Sequence, residues 1–254
     1  MAVSSVPKKK HKSSLSKPCL ITLRIELVGT TPLVWRRITL DGRSSFANLH
    51  HVIQAAMGWH DAHLHQFRIN NRYIGVPDPE SDAPEWHTED ERKVFLNRVL
   101  TDDAVFTYLY DFGDGWEHRL LVEEYDDSDD LRFGDGDAWV DAGERACPPE
   151  DCGGVGGFQD FLEKLENEPY SDESKELHVW AGLDYDPARF DRQAANAAIK
   201  RLLKSLDVSD EKFPPKAVQG FINGNKENGN RAAVLSAHDP YTKVGLFESV
   251  DVRP

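Results

Sequence analysis

AVFTYLYDFGDGWEHRLLVEE, Ala104 to Glu124, is the stretch that decides the fold class. Two β-branched and aromatic runs flank the Gly-Asp-Gly of residues 113–115, and glycines supply the positive φ that a tight hairpin turn demands. The segment therefore predicts two antiparallel strands. Upstream, CLITLRIELVG alternates Ile21, Leu23, Ile25 and Leu27 against Thr22, Arg24 and Glu26, as a half-buried strand does. TTPLVWRRITL answers it as the second arm of a hairpin. HLHQFRINNRYIGV sets His63, His65, Phe67 and Ile69 on one side, turns at Asn70 and Asn71, and resumes, which gives a further hairpin.

Between these strands the period changes. Phe46, Leu49, Ile53, Ala56 and Met57 share one helical stripe, with serines before it and Gly58 after it. Three more helices are predicted late in the chain: one around Phe158, Phe161, Leu162 and Leu165, one over SDESKELHVWAG, and one over FDRQAANAAIKRLLKSL with Asp191 as its cap. Hairpins and helices in this order predict a single α+β domain, 19–207, with a curved mixed or antiparallel sheet packed by helices. Residues 1–18, rich in Lys, Ser and Pro, predict a disordered basic tail, and 208–254 a mostly disordered polar one. Residues 77–92 read as a polar, proline-broken loop. Glu123 to Asp137 holds eight carboxylates against one arginine and reads as a solvated acidic loop, since no register in it supplies the calcium ligands of an EF-hand.

The formal charge is −14, although the first eighteen residues carry five lysines (Lys8, Lys9, Lys10, Lys12, Lys17) and no acid. The rest of the chain is thus more acidic than the total and repels phosphate backbones. Association with nucleic acid is expected only through residues 1–18. No apolar run approaches the ~20 residues that span a bilayer, so no membrane partner is expected. Cys19, Cys147 and Cys152 make no even disulfide framework, which favours a reducing, cytoplasmic setting.

ACPPEDCGGVGGF, Ala146 to Phe158, raises the question of chemistry. Two cysteines five apart fill only half of a structural zinc site, so zinc or another divalent metal would need His118, Glu150 or Asp151 beside Cys147 and Cys152. A redox pair usually has two intervening residues, and here there are four. The glycines ahead of a helix suggest an anion cradle, but the Walker ending and the strand of a dinucleotide fingerprint are both missing. Ordinary turn chemistry accounts for the segment. Asp111, Asp114, Glu117 and His118 around the hairpin tip are residue types that bind a metal or exchange a proton, although Asp and Gly serve tip geometry anyway. His63 and His65 share a strand face as metal ligands sometimes do, and a hydrogen-bonded core histidine is the plainer account.

PLVWRR with AAMGW and HLHQF, then YDFGDGWEH, then CPPEDCGG with GLDYDPARFD, occur in an order that resembles the plasmid pRiA4b ORF-3-like family over about residues 20–205. Members occur on plasmids, in mobile elements and in chromosomes, and are sometimes labelled TnpR-type transposon-passenger proteins. The resemblance implies a single α+β domain and carries no settled activity. Resolvase chemistry is not expected, because a serine recombinase needs an arginine-rich site, whereas Arg36 and Arg37 alternate to opposite faces of an otherwise acidic molecule.

The resemblance also implies where to look, since both signature segments are loops on a sheet. Asp111, Asp114, His118, Glu150 and Asp151 are expected to share a cleft with Cys147 and Cys152, walled by Trp116. The function expected is a cytoplasmic binding or interaction module for a protein, peptide or small ligand, without a cofactor. A metal-dependent hydrolase or nuclease with a His, Asp and Cys site is the alternative.

Overall fold

In the computed structural model, three hairpins are joined side by side into one sheet. Residues 17–78, 88–128, 131, 133 and 137–207 are described; nearly all of both predicted tails and parts of the two polar loops lie outside them. The strands are β1 (Leu20–Leu27), β2 (Trp35–Asp41), β3 (His65–Ile69), β4 (Arg72–Gly75), β5 (Thr88–Asp90), β6 (Val105–Tyr110), β7 (Trp116–Asp126) and β8 (Ala138–Glu144). They form one sheet in the order β5-β4-β3-β6-β7-β1-β2-β8. Every pairing is antiparallel except β4 with β5, so the sheet is mixed and the fold is α+β.

Alternation decides which face is which. Ile21, Leu23, Ile25 and Leu27 are fully buried on one side, while Arg24 and Glu26 face the other. There Glu26 accepts from both Arg24 and Arg119, and Arg37 pairs with Glu123 at 2.6 Å, so the open face is a lattice of ion pairs. The core face receives α1 (Phe46–Met57), whose Phe46 packs edge-on to Phe67 and Phe106. Ser45 caps this helix by accepting from the Asn48 amide, and Gly58 ends it at φ 96°. The short α2 (Leu96–Val99) precedes β6, and α3 (Gly154–Asn167), α4 (Asp172–Ala181) and α5 (Arg192–Asp207) follow β8. Asp191 caps α5 through the Ala194 amide at 2.9 Å, and Ile199 buries the helix against the core.

Arg36 and Arg37 do point to opposite faces. Arg36 is almost fully buried, donating to the carbonyls of Ala56, Trp35 and Glu144 and lying 3.9 Å from the Phe190 ring centroid. Burial lowers its guanidinium to about 10. It ties α1, β2 and β8 together.

Two strands were not anticipated. β5 occupies the end of the loop expected over 77–92 and adds to the sheet in parallel. β8 lies at the opposite edge, where Val140 alone is fully enclosed. Its outward amide and carbonyl are both taken by the side chain of Asn196 on α5, at 2.8 and 3.0 Å.

Candidate functional site

The β6–β7 tip is shaped by Asp111 and Gly115 at φ 56° and 70°, so the left-handed residues are the first and last of the turn and Gly113 is not among them. Asp111 Oδ1 accepts from the amides of Gly113 and Asp114, and this self-cap leaves Oδ2 for other partners. The Cys-Pro-Pro segment is pinned along its backbone. Trp59 Nε1 donates to the Pro148 carbonyl and the Tyr185 hydroxyl donates to that of Cys147, both at 3.0 Å.

The two segments touch. Asp114 Oδ2 accepts from the Gly153 amide at 3.1 Å, and a Cβ on Gly154 would collide with the Asp114 carbonyl oxygen. Gly154 also adopts φ 68°, so both its backbone angle and its closeness to the tip call for glycine. Glu150 is held by the His60 amide at 2.8 Å and by the Tyr110 hydroxyl at 3.2 Å.

His63 stands where these acids converge. Its Nδ1 lies 3.6 Å from Asp111, and its Nε2 lies 3.6 Å from Glu150 and 3.2 Å from Asp151. The ring is edge-on to Tyr110 and partly exposed. Burial and the Glu150 carboxylate raise the Tyr110 hydroxyl well above the usual phenol, so it acts as a donor. A groove of about 640 Å³ opens beside Glu150 and Asp151, between the end of α1 and the α4–α5 connection; Trp59, Tyr185 and Phe190 line it. Trp180 on its rim is 49% exposed, with Val179 and Leu183 exposed nearby.

The expected cleft residues therefore divide. Asp111, Asp114, Glu150 and Asp151 come together. Trp116 and His118 do not join them at the surface, because positions 116, 118, 120 and 122 of β7 share the core face. Trp116 packs against Trp59 and Phe158 as core rather than as a cleft wall. His118 donates Nδ1–H toward the Trp116 and Tyr108 carbonyls, and burial brings its imidazole down to about 4. Burial also raises both thiols, Cys152 to about 12 and Cys147 further, so neither is a ready thiolate at neutral pH.

Among the described residues, two histidine and carboxylate groups place their donor atoms within 4.8 Å of one another: His63 with Asp111 and Asp151, and His50 with Asp61 and His65. His118, Cys147 and Cys152 belong to neither. His63 and His65 thus serve different neighbourhoods. A signal for the second group was present in the sequence, where five of the ten histidines fall between positions 50 and 65.

The chain is similar to known proteins over most of the described residues. A family model described as plasmid pRiA4b ORF-3-like protein matches residues 20–194. The chain belongs to that family. It is 35% identical over 201 residues to the uncharacterized protein y4hQ of Sinorhizobium fredii, covering 78% of this chain and 96% of the relative. It also resembles the crystal structure of a protein of unknown function, MM3350 from Methanosarcina mazei Go1, with TM-score 0.61 and 32% identity over 71% of this chain and 98% of the other. The match to the family model includes the hairpin tip and the Cys-Pro-Pro segment.

Proposed function

We propose that this pRiA4b ORF-3-like protein is a cytoplasmic binding module of mobile-element origin, which recognises a peptide or small ligand bearing a cationic group. The observation that carries the reading is the ring of Asp111, Glu150 and Asp151 around a partly exposed His63 at one end of a groove. Arg189 and Arg201 also line the groove, so the preference for an ammonium or guanidinium belongs to the carboxylate ring around His63, toward which the chain's overall charge steers cations. Free cysteines and the lack, among the described residues, of any helix long and apolar enough to cross a membrane fit that setting. The plasmid reading frame after which the family is called supports the origin.

Panning a random peptide library on the immobilised chain tests this. Enrichment of Lys- or Arg-bearing sequences that is lost on the Asp151→Asn/Trp180→Ser double variant is the expected result. Enrichment that the variant retains, or none over bare support, overturns it.

Metal-dependent hydrolysis is the second reading, favoured by the His63, Asp111 and Asp151 group alone. It requires phosphodiester turnover with added Mn²⁺ that His63→Ala abolishes.

A further inference from the structure

One cation at the groove is buried without a counter-charge. Arg36 lines the groove with only 1% of its surface exposed, and its hydrogen bonds go to three backbone carbonyls, with no carboxylate among its partners in the described residues. Nε serves Ala56, and Nη1 serves Trp35 and Glu144. Nη2 donates to no atom of the described residues, yet it is not fully enclosed, so it opens onto the groove. Phe190 covers one face of the guanidinium, its ring centroid 3.9 Å from Cζ, which leaves the edge as the direction of approach. A buried guanidinium is costly unless an anion matches it.

The acidic end of the groove lies away from Arg36, along two strips of backbone. Arg36 joins Ala56 to Glu144 where the strips begin, Trp59 donates to Pro148 midway, and Glu150 accepts from the His60 amide where they end. At the far end, Glu150 and Asp151 have His60 and His63 as their ion contacts. Beside Phe190, Arg189 pairs with Asp191 at 3.2 Å, whereas Arg201 on α5 lines the groove with no ion pair among the described residues. The groove therefore carries charges of both signs, set apart along its length.

Resting on the cation-binding reading above, we infer that the ligand is a peptide ending in lysine or arginine with its carboxylate free. The side-chain cation lies on the carboxylates around His63, and the C-terminal carboxylate meets Arg36 Nη2 with added charge from Arg201. Guanidinium edges pair with carboxylates through charge-assisted hydrogen bonds. A basic residue at the last position offers both charges a side chain's length apart, whereas an internal one leaves Arg36 unmatched. Phosphate suits this end poorly, because one open N–H edge gives few donors for its oxygens and the acidic body repels a dianion.

Calorimetry on the full chain with two short peptides, both ending in lysine, one with a free C-terminal carboxylate and the other amidated, tests the inference. The free acid should bind about tenfold more tightly or better, as a charge-assisted hydrogen bond contributes. Arg36→Gln should abolish this preference. If that variant does not fold, Arg201→Gln, at an exposed position, decides by lowering the preference about threefold. Equal binding of acid and amide overturns the inference and leaves the cation-binding reading standing, whereas binding of neither peptide overturns both. A preference that the deciding variant retains puts the carboxylate elsewhere and overturns the role of Arg36.

Discussion

His118 and His63 both neighbour the tyrosines of β6, one beside Tyr108 and the other beside Tyr110, yet the two rings occupy opposite media. His118 is enclosed by aromatic side chains, satisfied on one side by backbone carbonyls, and its Nε2 has no hydrogen-bond partner among the described residues. His63 faces carboxylates from two loops and is partly exposed, although its Nε2, like that of His118, is buried without a hydrogen-bond partner among the described residues. The difference teaches that residue type did not assign the role; strand parity did. An even count along β7 sends position 118 inward, whereas His63 precedes β3 and stays at its mouth.

The largest expected effect lies on the buried side. His118→Ala should cost about 3 kcal/mol in urea denaturation, from lost packing and unsatisfied carbonyls. The folded imidazole titrates near 4 and the unfolded one near its ordinary 6.5, so the unfolded chain binds the extra proton between these values. Stability contributed by the neutral ring is therefore full above about pH 6.5 and is lost as pH falls toward 4. Removing His118 should make that acid decline shallower. An unchanged decline would break the contrast between the two media.

Next in size is Gly154→Ala, expected to cost about 2 kcal/mol, because a Cβ meets the Asp114 carbonyl in a left-handed backbone. Faster amide exchange at Gly153 would show that the hairpin tip and α3 had separated. The smallest effect is His63→Ala, within about 0.5 kcal/mol in the same denaturation assay, as befits a partly exposed side chain. A loss near that of His118 would make His63 a structural ring and sharpen the contrast in the other direction.

Much of the scaffold was legible because its central elements are buried on one face only. β6, most of β7, residues 23–27 of β1 and 35–38 of β2 show period two, and α1 carries a cap at each end, so pattern and packing agree there. The edges were not legible. β5 has three residues of middling burial, and β8 encloses only Val140, so neither shows an alternation to read. At the site, the tip and the Cys-Pro-Pro segment are both loops on the sheet, and their contact through Asp114 and Gly153 has no local pattern that marks it. The inward turn of Trp116 and His118 follows from the register of β7, which begins at Trp116 and so divides YDFGDGWEH between a surface turn and a buried strand. The stacking of His50 on His65 joins a helix to a strand across the core, and only the tertiary fold brings them together.

The Asn196 amide at the β8 margin has a consequence for how this protein behaves in a crowd. A side-chain amide offers the same donor and acceptor as a peptide group, so it occupies the place where a strand from another molecule would otherwise attach. One residue on α5 thereby blunts this edge at Val140, at a seam that would otherwise stay adhesive.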